Sequence, residues 1–517
     1  MEKEYTVIAN TREDLPDLEA EITASSGAGP IPNRSVDIAN PRPGSKIQTH
    51  FMLTDEEAEE LRKDPRVRAV EIPPEQRDDI FIGKRAYQTG DFRRSTATNN
   101  DFVNWGLRRC IEATNVYGAL ETVDGDYQYA LDGTGVDVVI QDSGLQVNHP
   151  EFEDANGSSR VQQIDWYTAS GLPGTQSANH YRDFDGHGSH CAGIAAGKTY
   201  GWAKGAHVYS QKLAGLEGPG DAGTGISITD AFDTIRLWHN AKTNGRPTVV
   251  NMSWGYFQSS TGDPTSGVYR GTPWNFGDPG FTNDNDLFSN AGIVPPVFTT
   301  SGFVRFYPSQ VASTDAEIED MIADGVHVFI ASGNDSYKSD IAGGVDYNNS
   351  VTFGGNTINY HRPGSPYSPN SFYVGSIDTT TINQSGSELD KIASYSNRGP
   401  AVNIYAPGTG ITSVCSSTND GYATVNYPDD PTFLIMNIPG TSMAAPQVCG
   451  VAALHLQVTP GLSPEQLQQK IFNDSQSVVY DTGLTDDYNI LDSIQGSANR
   501  MLYSRYGIQP LRIQGLN

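Results

Sequence analysis

The pattern of apolar and polar positions changes character twice along this chain. In the first stretch the apolar residues come in short bursts. EYTVIA (Glu4–Ala9) alternates as a strand does, while Thr11–Ala24 spaces its apolar residues at helical intervals. Ser35–Ala39 and Lys46–Leu53 read as two further strands, and Arg66–Ile72 as a last alternating one. Before that last strand, Thr54 and Glu57 form a T-x-x-E capping box, and Pro65 lies just past the helix end. The predicted order is βαββαβ, a ferredoxin-like α+β unit over residues 1–75 that is small for a free-standing core. Residues 76–103 carry charge, Gly, Thr and Asn without periodicity, and read as a linker.

From residue 104 the rhythm becomes nearly continuous β-branched runs separated by helical stretches. The strands are Val136–Ile140, His207–Leu213, Thr248–Trp254, Val326–Ala331, Phe372–Ile377 and Val402–Pro407, with a helix over Ile226–Gly245. Runs apolar on both faces belong to a sheet covered on both sides, so a mostly parallel central sheet in a three-layer α/β domain is predicted over 104–480. Two segments break the rhythm. Residues 256–310 are rich in Gly, Pro, Ser and Asn and read as a long insertion, and 335–370 is similarly irregular. Residues 481–517 read as a short irregular extension.

Composition narrows the function classes. The 517 residues carry a formal charge of −27, which repels phosphate backbones and argues against a nucleic-acid partner. No run reaches the roughly 18 apolar residues of a membrane span. The start, MEKEYTVIANTRED, lacks an apolar core and a small-residue cleavage site, so it does not read as a secretory signal. Export by a standard route is therefore not expected, and an intracellular, virus-packaged or otherwise exported protein is left open. The four cysteines, Cys110, Cys191, Cys415 and Cys449, are widely spaced without a C-x-x-C pair, so reduced thiols are expected and a zinc site is not.

Three local sequences carry chemistry. VVIQDSG puts Asp142 directly after a buried strand. DGHGSHCAGIAAG puts His187 among glycines at the start of a small-residue helix, and IPGTSMAAPQVCG puts Ser442 at the start of another. A serine hydroxyl is a weak nucleophile and needs a base, for which His187 is the candidate. The imidazole in turn needs a carboxylate to fix its tautomer, a role Asp142 can fill. A helix beginning near Ser442 aims N–H groups at the reacting centre. Pro446 is expected to be tolerated because it lies near that helix start.

These blocks, D-S-G, H-G-x-H-x-A-G and G-T-S-M-A-A-P in that order, resemble the signatures of the subtilases, the subtilisin and proteinase K family. The resemblance implies a subtilisin-like fold and a serine endopeptidase with Asp142, His187 and Ser442 as its triad. It also implies that Asn334, in A-S-G-N, donates to the oxyanion. It places Ser253, Trp254 and Gly255 on one edge of the substrate cleft, Gly223 on the opposing edge, and His361 at the pocket floor. Trp254 stands where the family has a smaller residue. Cys191 is expected beneath His187 as a packed thiol, and His190 to point away from the chemistry. A structural calcium is implied, with Glu151 in NHPEF as an acidic ligand.

LTDEEAEELRKDPRVRAVEI resembles the end of the family's prosegment, so the first unit is expected to act as chaperone and inhibitor of its own chain. NDFVNWGLRRC resembles the mature start, and self-cleavage is expected between Pro73 and Asn104. Two alternatives stand beside a broad endopeptidase: a binding or structural protein whose site the 256–310 insertion occludes, and a narrowly specific processing protease.

Overall fold

Alternation near the N-terminus produces the predicted βαββαβ order. In a computed structural model the described residues are 2–11, 13–24, 29–31, 33–40, 48–73, 88–90, 104–115, 117, 127–221, 223–299, 302–384, 386–484 and 493–508. The chain divides into two compact units, Met1–Lys84 and Arg85–Asn517. The expected linker and self-cleavage window lie almost wholly outside the described residues.

In the first unit the elements are β1 (Lys3–Ala9), α1 (Asp14–Thr23), β2 (Ile38–Asn40), β3 (Gln48–Leu53), α2 (Asp55–Leu61) and β4 (Val67–Glu71). They form an antiparallel sheet of order β2-β3-β1-β4. One sheet face is apolar, and the helices cover it with Leu15, Leu18, Ile22, Ala58 and Leu61 against Tyr5, Val7, Phe51 and Val70. The capping box forms as the sequence indicates. The Thr54 hydroxyl accepts from the Glu57 N–H at 3.2 Å, and the Glu57 carboxylate accepts from the Thr54 N–H at 2.8 Å.

The second unit is a three-layer α/β structure. Its strands are β5 (Asp137–Asp142), β6 (Val161–Gln162), β7 (His207–Lys212), β8 (Thr248–Met252), β9 (His327–Ala331), β10 (Phe372–Gln384), β11 (Ser387–Ile392) and β12 (Ile404–Pro407). The sheet order is β11-β10-β9-β8-β5-β7-β6, with β12 also paired to β10. Every pairing is parallel except β10–β11. Strand β5 sits inside the sheet and is buried along its whole length, so it can carry a functional residue only at its end.

Two helices pack side by side against this sheet, α3 (His187–Ala196) and α4 (Thr441–Val458). Both are built from Ala, Gly and other small residues and are buried almost all round, which lets them approach closely. At Gly450 an added Cβ would lie 2.7 Å from the Ala195 carbonyl and 2.7 Å from Trp202, so only glycine fits there.

Two sequence readings need correction. The segments 256–310 and 335–370 are not irregular. Phe257–Ser260, Val297–Thr299 and Gly302–Pro308 make one small antiparallel sheet, and Ser266–Tyr269, Thr272–Asn275, Ser350–Phe353 and Asn356–Ile358 make another. Together they form a lobe with a core of its own, made of Trp274, Leu287, Tyr307, Tyr337, Phe353 and Tyr360. The described tail is likewise no appendage. Ile494, Met501 and Leu502 belong to the main core, and residues 500–502 bond to Tyr405 of β12. The α/β unit therefore continues past 480. Among the described residues no helix is long and apolar enough to cross a membrane.

Candidate active site

Asp142 is the last residue of β5, at the carboxyl end of the parallel strands, where α/β sheets hold their ligands. It is 2% exposed, and its Oδ1 accepts from the Ser143 N–H at 2.7 Å and from His187 Nδ1 at 2.8 Å. That second bond leaves the other imidazole nitrogen of His187 as the basic one. Burial acts to lower the His187 pKa, but the Asp142 carboxylate outweighs it and holds the group well above the usual imidazole value.

His187 opens α3, and the turn before it is organised by Asp183, which sequence reasoning missed. The buried Asp183 carboxylate accepts from the hydroxyls of Ser143 and Ser189 and from the N–H groups of Asp185, Gly186 and Ser189. One carboxylate thus ties the turn after β5 to the start of the histidine helix. The signal was present as an acidic residue four positions before the helix, in RDFDGHG. Gly186 has φ +103°, a left-handed conformation that favours glycine.

Ser442 is the second residue of α4, so its N–H has no partner within the helix and points out from the positive end. Its Oγ donates to the Ser253 carbonyl at 3.0 Å. Pro446 is the sixth residue of this helix, near its start but past the first turn. Lacking an N–H, it frees the carbonyl one turn back, which is that of Ser442. The Ser253 hydroxyl donates to this carbonyl at 2.9 Å and the Cys191 thiol at 3.4 Å. Cys191 also lies 3.9 Å from His187 Nδ1 and is fully buried.

Asn334 follows β9. Its Oδ1 accepts from both the N–H and the hydroxyl of Thr441, each at 2.8 Å. The carbonyl side of the amide is thereby committed, and its NH2 is left for the cleft. Asn334 and Ser442 line the same cleft of about 220 Å3, together with Ser253, Trp254, Gly255 and Asp335. Trp254 is anchored by its indole N–H to Gln141 at 3.2 Å and stands edge-on to Tyr256.

Other residues fall elsewhere. His361 is not at the cleft floor. It is buried in the lobe, its ring tilted against that of Tyr360 and bonded to Asn349 at 2.9 Å, and burial pushes its pKa down to about 3. Gly223 is exposed and outside the cleft lining, two residues beyond Asp221, which pairs with the buried Lys212. His190 is buried and its Nε2 donates between the Ile411 and Met436 carbonyls, each at 3.1 Å.

Glu151 does not fit a metal ligand. One oxygen accepts from the N–H groups of Thr199 and Tyr200, at 2.8 and 3.2 Å, and the other from the Tyr427 hydroxyl at 2.9 Å. The partly buried Lys204 ammonium donates to the Lys198 and Gly201 carbonyls of the same loop, at 2.7 and 2.6 Å. A side-chain cation therefore stands where carbonyls converge. Among the described residues, the acidic, His and Cys side chains near enough to share an ion are Asp142, His187 and Cys191, the groups already described.

A strand-end carboxylate bonded to a helix-start histidine, with Cys191 linking that histidine to the backbone of a helix-start serine, is the residue set that a serine hydrolase on an α/β sheet requires. The subtilase family model matches residues 133–498, and the chain belongs to that family of serine-type peptidases. A cuticle-degrading serine protease of Arthrobotrys oligospora is 26% identical over 78% of this chain and 68% of its own length. An alkaline serine exoprotease A of Vibrio alginolyticus is 26% identical over 87% of this chain, and the match spans 57% of that relative. The structure of a cold-adapted subtilisin-like serine proteinase aligns over 77% of this chain and 97% of its own, with 22% identity and a TM-score of 0.46.

Proposed function

We propose that this chain is a serine endopeptidase that works through an acyl-enzyme. The Asp142–His187 bond of 2.8 Å beside Ser442 carries the reading. Asp142 fixes the imidazole so that its free nitrogen takes the Ser442 proton as Oγ attacks the scissile carbonyl. For this the Ser442 hydroxyl leaves the Ser253 carbonyl by a rotation about χ1. The tetrahedral oxyanion is met by the Asn334 NH2 and the Ser442 N–H, both preset before substrate arrives. His187 then gives its proton to the departing amine, and water repeats the cycle on the ester. A fluorophosphonate probe tests this directly. It should label Ser442 in the wild type and fail on Ser442→Ala; an unlabelled wild type would sink the proposal.

The same reading makes the first unit a prosegment removed by the chain's own activity. Its compact βαββαβ core ahead of a long linker supports this. Intact-mass measurement should find a new N-terminus between residues 73 and 104 in the wild type and an uncut Ser442→Ala chain. Equal processing of both would rule out self-cleavage.

A further inference from the structure

The cleft beside Ser442 holds a charge that peptide hydrolysis does not call for. Asp335 follows the proposed oxyanion donor Asn334 directly and lines the same cleft. Its backbone N–H donates to the Asn397 side chain at 3.3 Å, which fixes where the residue sits. Asn397 is itself tied to the Ser332 carbonyl at 2.8 Å, so the position is held from both sides of the turn. Burial is the one cause that moves the Asp335 carboxyl, pushing its pKa up to about 6. Among the described residues no lysine or arginine is paired with it, and the cleft lining contains no basic side chain. Asp335 is partly buried, and among the described residues no basic side chain supplies it with a counter-charge.

Four of the other lining residues are aromatic. Trp254, Tyr256 and Phe257 follow the end of β8 in the chain, and Tyr373 belongs to β10. Aromatic walls suit either a flat apolar side chain or the aliphatic stem of a long cationic one. The carboxylate separates these. An apolar side chain filling the cleft would shed the remaining water from Asp335 and offer nothing in return. A lysine or arginine would lay its methylenes along the rings and bring its charge to the acid.

We propose that Asp335 is a specificity-determining residue, and that the cleft takes a lysine or arginine side chain on the acyl side of the scissile bond. This rests on the endopeptidase reading above.

The test uses the purified full-length chain and matched peptides that differ only in the residue before the cleaved bond: Lys, Arg, Met, Leu and Phe. The wild type should favour Lys and Arg over Met by about tenfold or more in kcat/KM. Asp335→Asn should collapse that ratio towards one, and Asp335→Glu, which keeps the charge, should retain most of it. A wild type that cleaves after Leu or Phe as readily as after Lys would overturn the proposal, as would a basic preference that persists in Asp335→Asn. If neither variant folds, the wild-type ratio decides alone. Fluorophosphonate labelling separates the two levels. Labelled Ser442 without basic preference refutes the role of Asp335 only, whereas an unlabelled Ser442 removes the endopeptidase reading and this inference with it.

Discussion

Ser253 and Ser442 exchange hydrogen bonds: the Ser253 hydroxyl donates to the Ser442 carbonyl at 2.9 Å, and the Ser442 hydroxyl donates to the Ser253 carbonyl at 3.0 Å. The first bond exists because Pro446 cannot supply the helical one. The second holds the proposed nucleophile in place until substrate arrives. The end of β8 is thereby locked to the start of α4 at the point where chemistry is expected.

Ser253→Ala should therefore do more than remove a surface hydroxyl. It leaves the Ser442 carbonyl with only the Cys191 thiol and strips the Asn251 amide of its acceptor. A loss of about 1–3 kcal/mol in urea unfolding is expected, together with a lower kcat. A variant as stable and active as the wild type would show that the lock is ornamental.

Asn334→Ala removes the proposed oxyanion donor and also the acceptor of two Thr441 hydrogen bonds. Turnover should fall about 100- to 1000-fold, with KM changed far less, because the donor acts on charge that develops only in the transition state. A rise in KM at constant kcat would assign Asn334 to substrate binding instead.

The pH profile follows from the sign of the His187 shift. A base must be neutral to accept a proton, and Asp142 holds the His187 pKa well above the ordinary imidazole value. The ascending limb of kcat/KM in the free enzyme should consequently lie above about pH 6.5. Asp142→Asn should move it down and reduce kcat by about 10^4-fold. A wild-type limb at or below 6.5 contradicts the account.

Lys204→Met tests the side-chain cation beside Glu151. Burial pushes the Lys204 pKa down to about 7, while Glu151 acts to raise it. Methionine matches the stem and leaves the Lys198 and Gly201 carbonyls without this donor. Destabilisation of about 2–4 kcal/mol is expected by chemical unfolding. Unchanged stability would mean that the loop finds its donors in water.

Much of this site was legible in the sequence because it is locally encoded. Asp142, His187 and Ser442 each sit at an element end, marked by a strand run or a glycine turn within a few residues. Asn334 was legible for the same reason. His361 was not, since its place depends on Tyr360, Asn349 and a lobe whose strands of three to seven residues leave almost no periodicity. The tail after 492 was misread because its burial comes from contacts with β12, about 95 residues away in the chain. Asp335 went unnoticed because nothing local marks a carboxylate as lacking a partner; only the assembled cleft does.

The lobe is stitched from two stretches of chain on either side of β9, yet Phe257, Pro308 and Gly364 at its rim form part of the cleft wall. Its interior is sealed by its own aromatic core, independent of the helices that carry His187 and Ser442. Substitutions along that rim can therefore drift without disturbing the reacting groups. In evolutionary terms part of the cleft wall is free to vary on a support of its own, although Asp335 and Trp254 keep the rest of that wall next to the reacting groups.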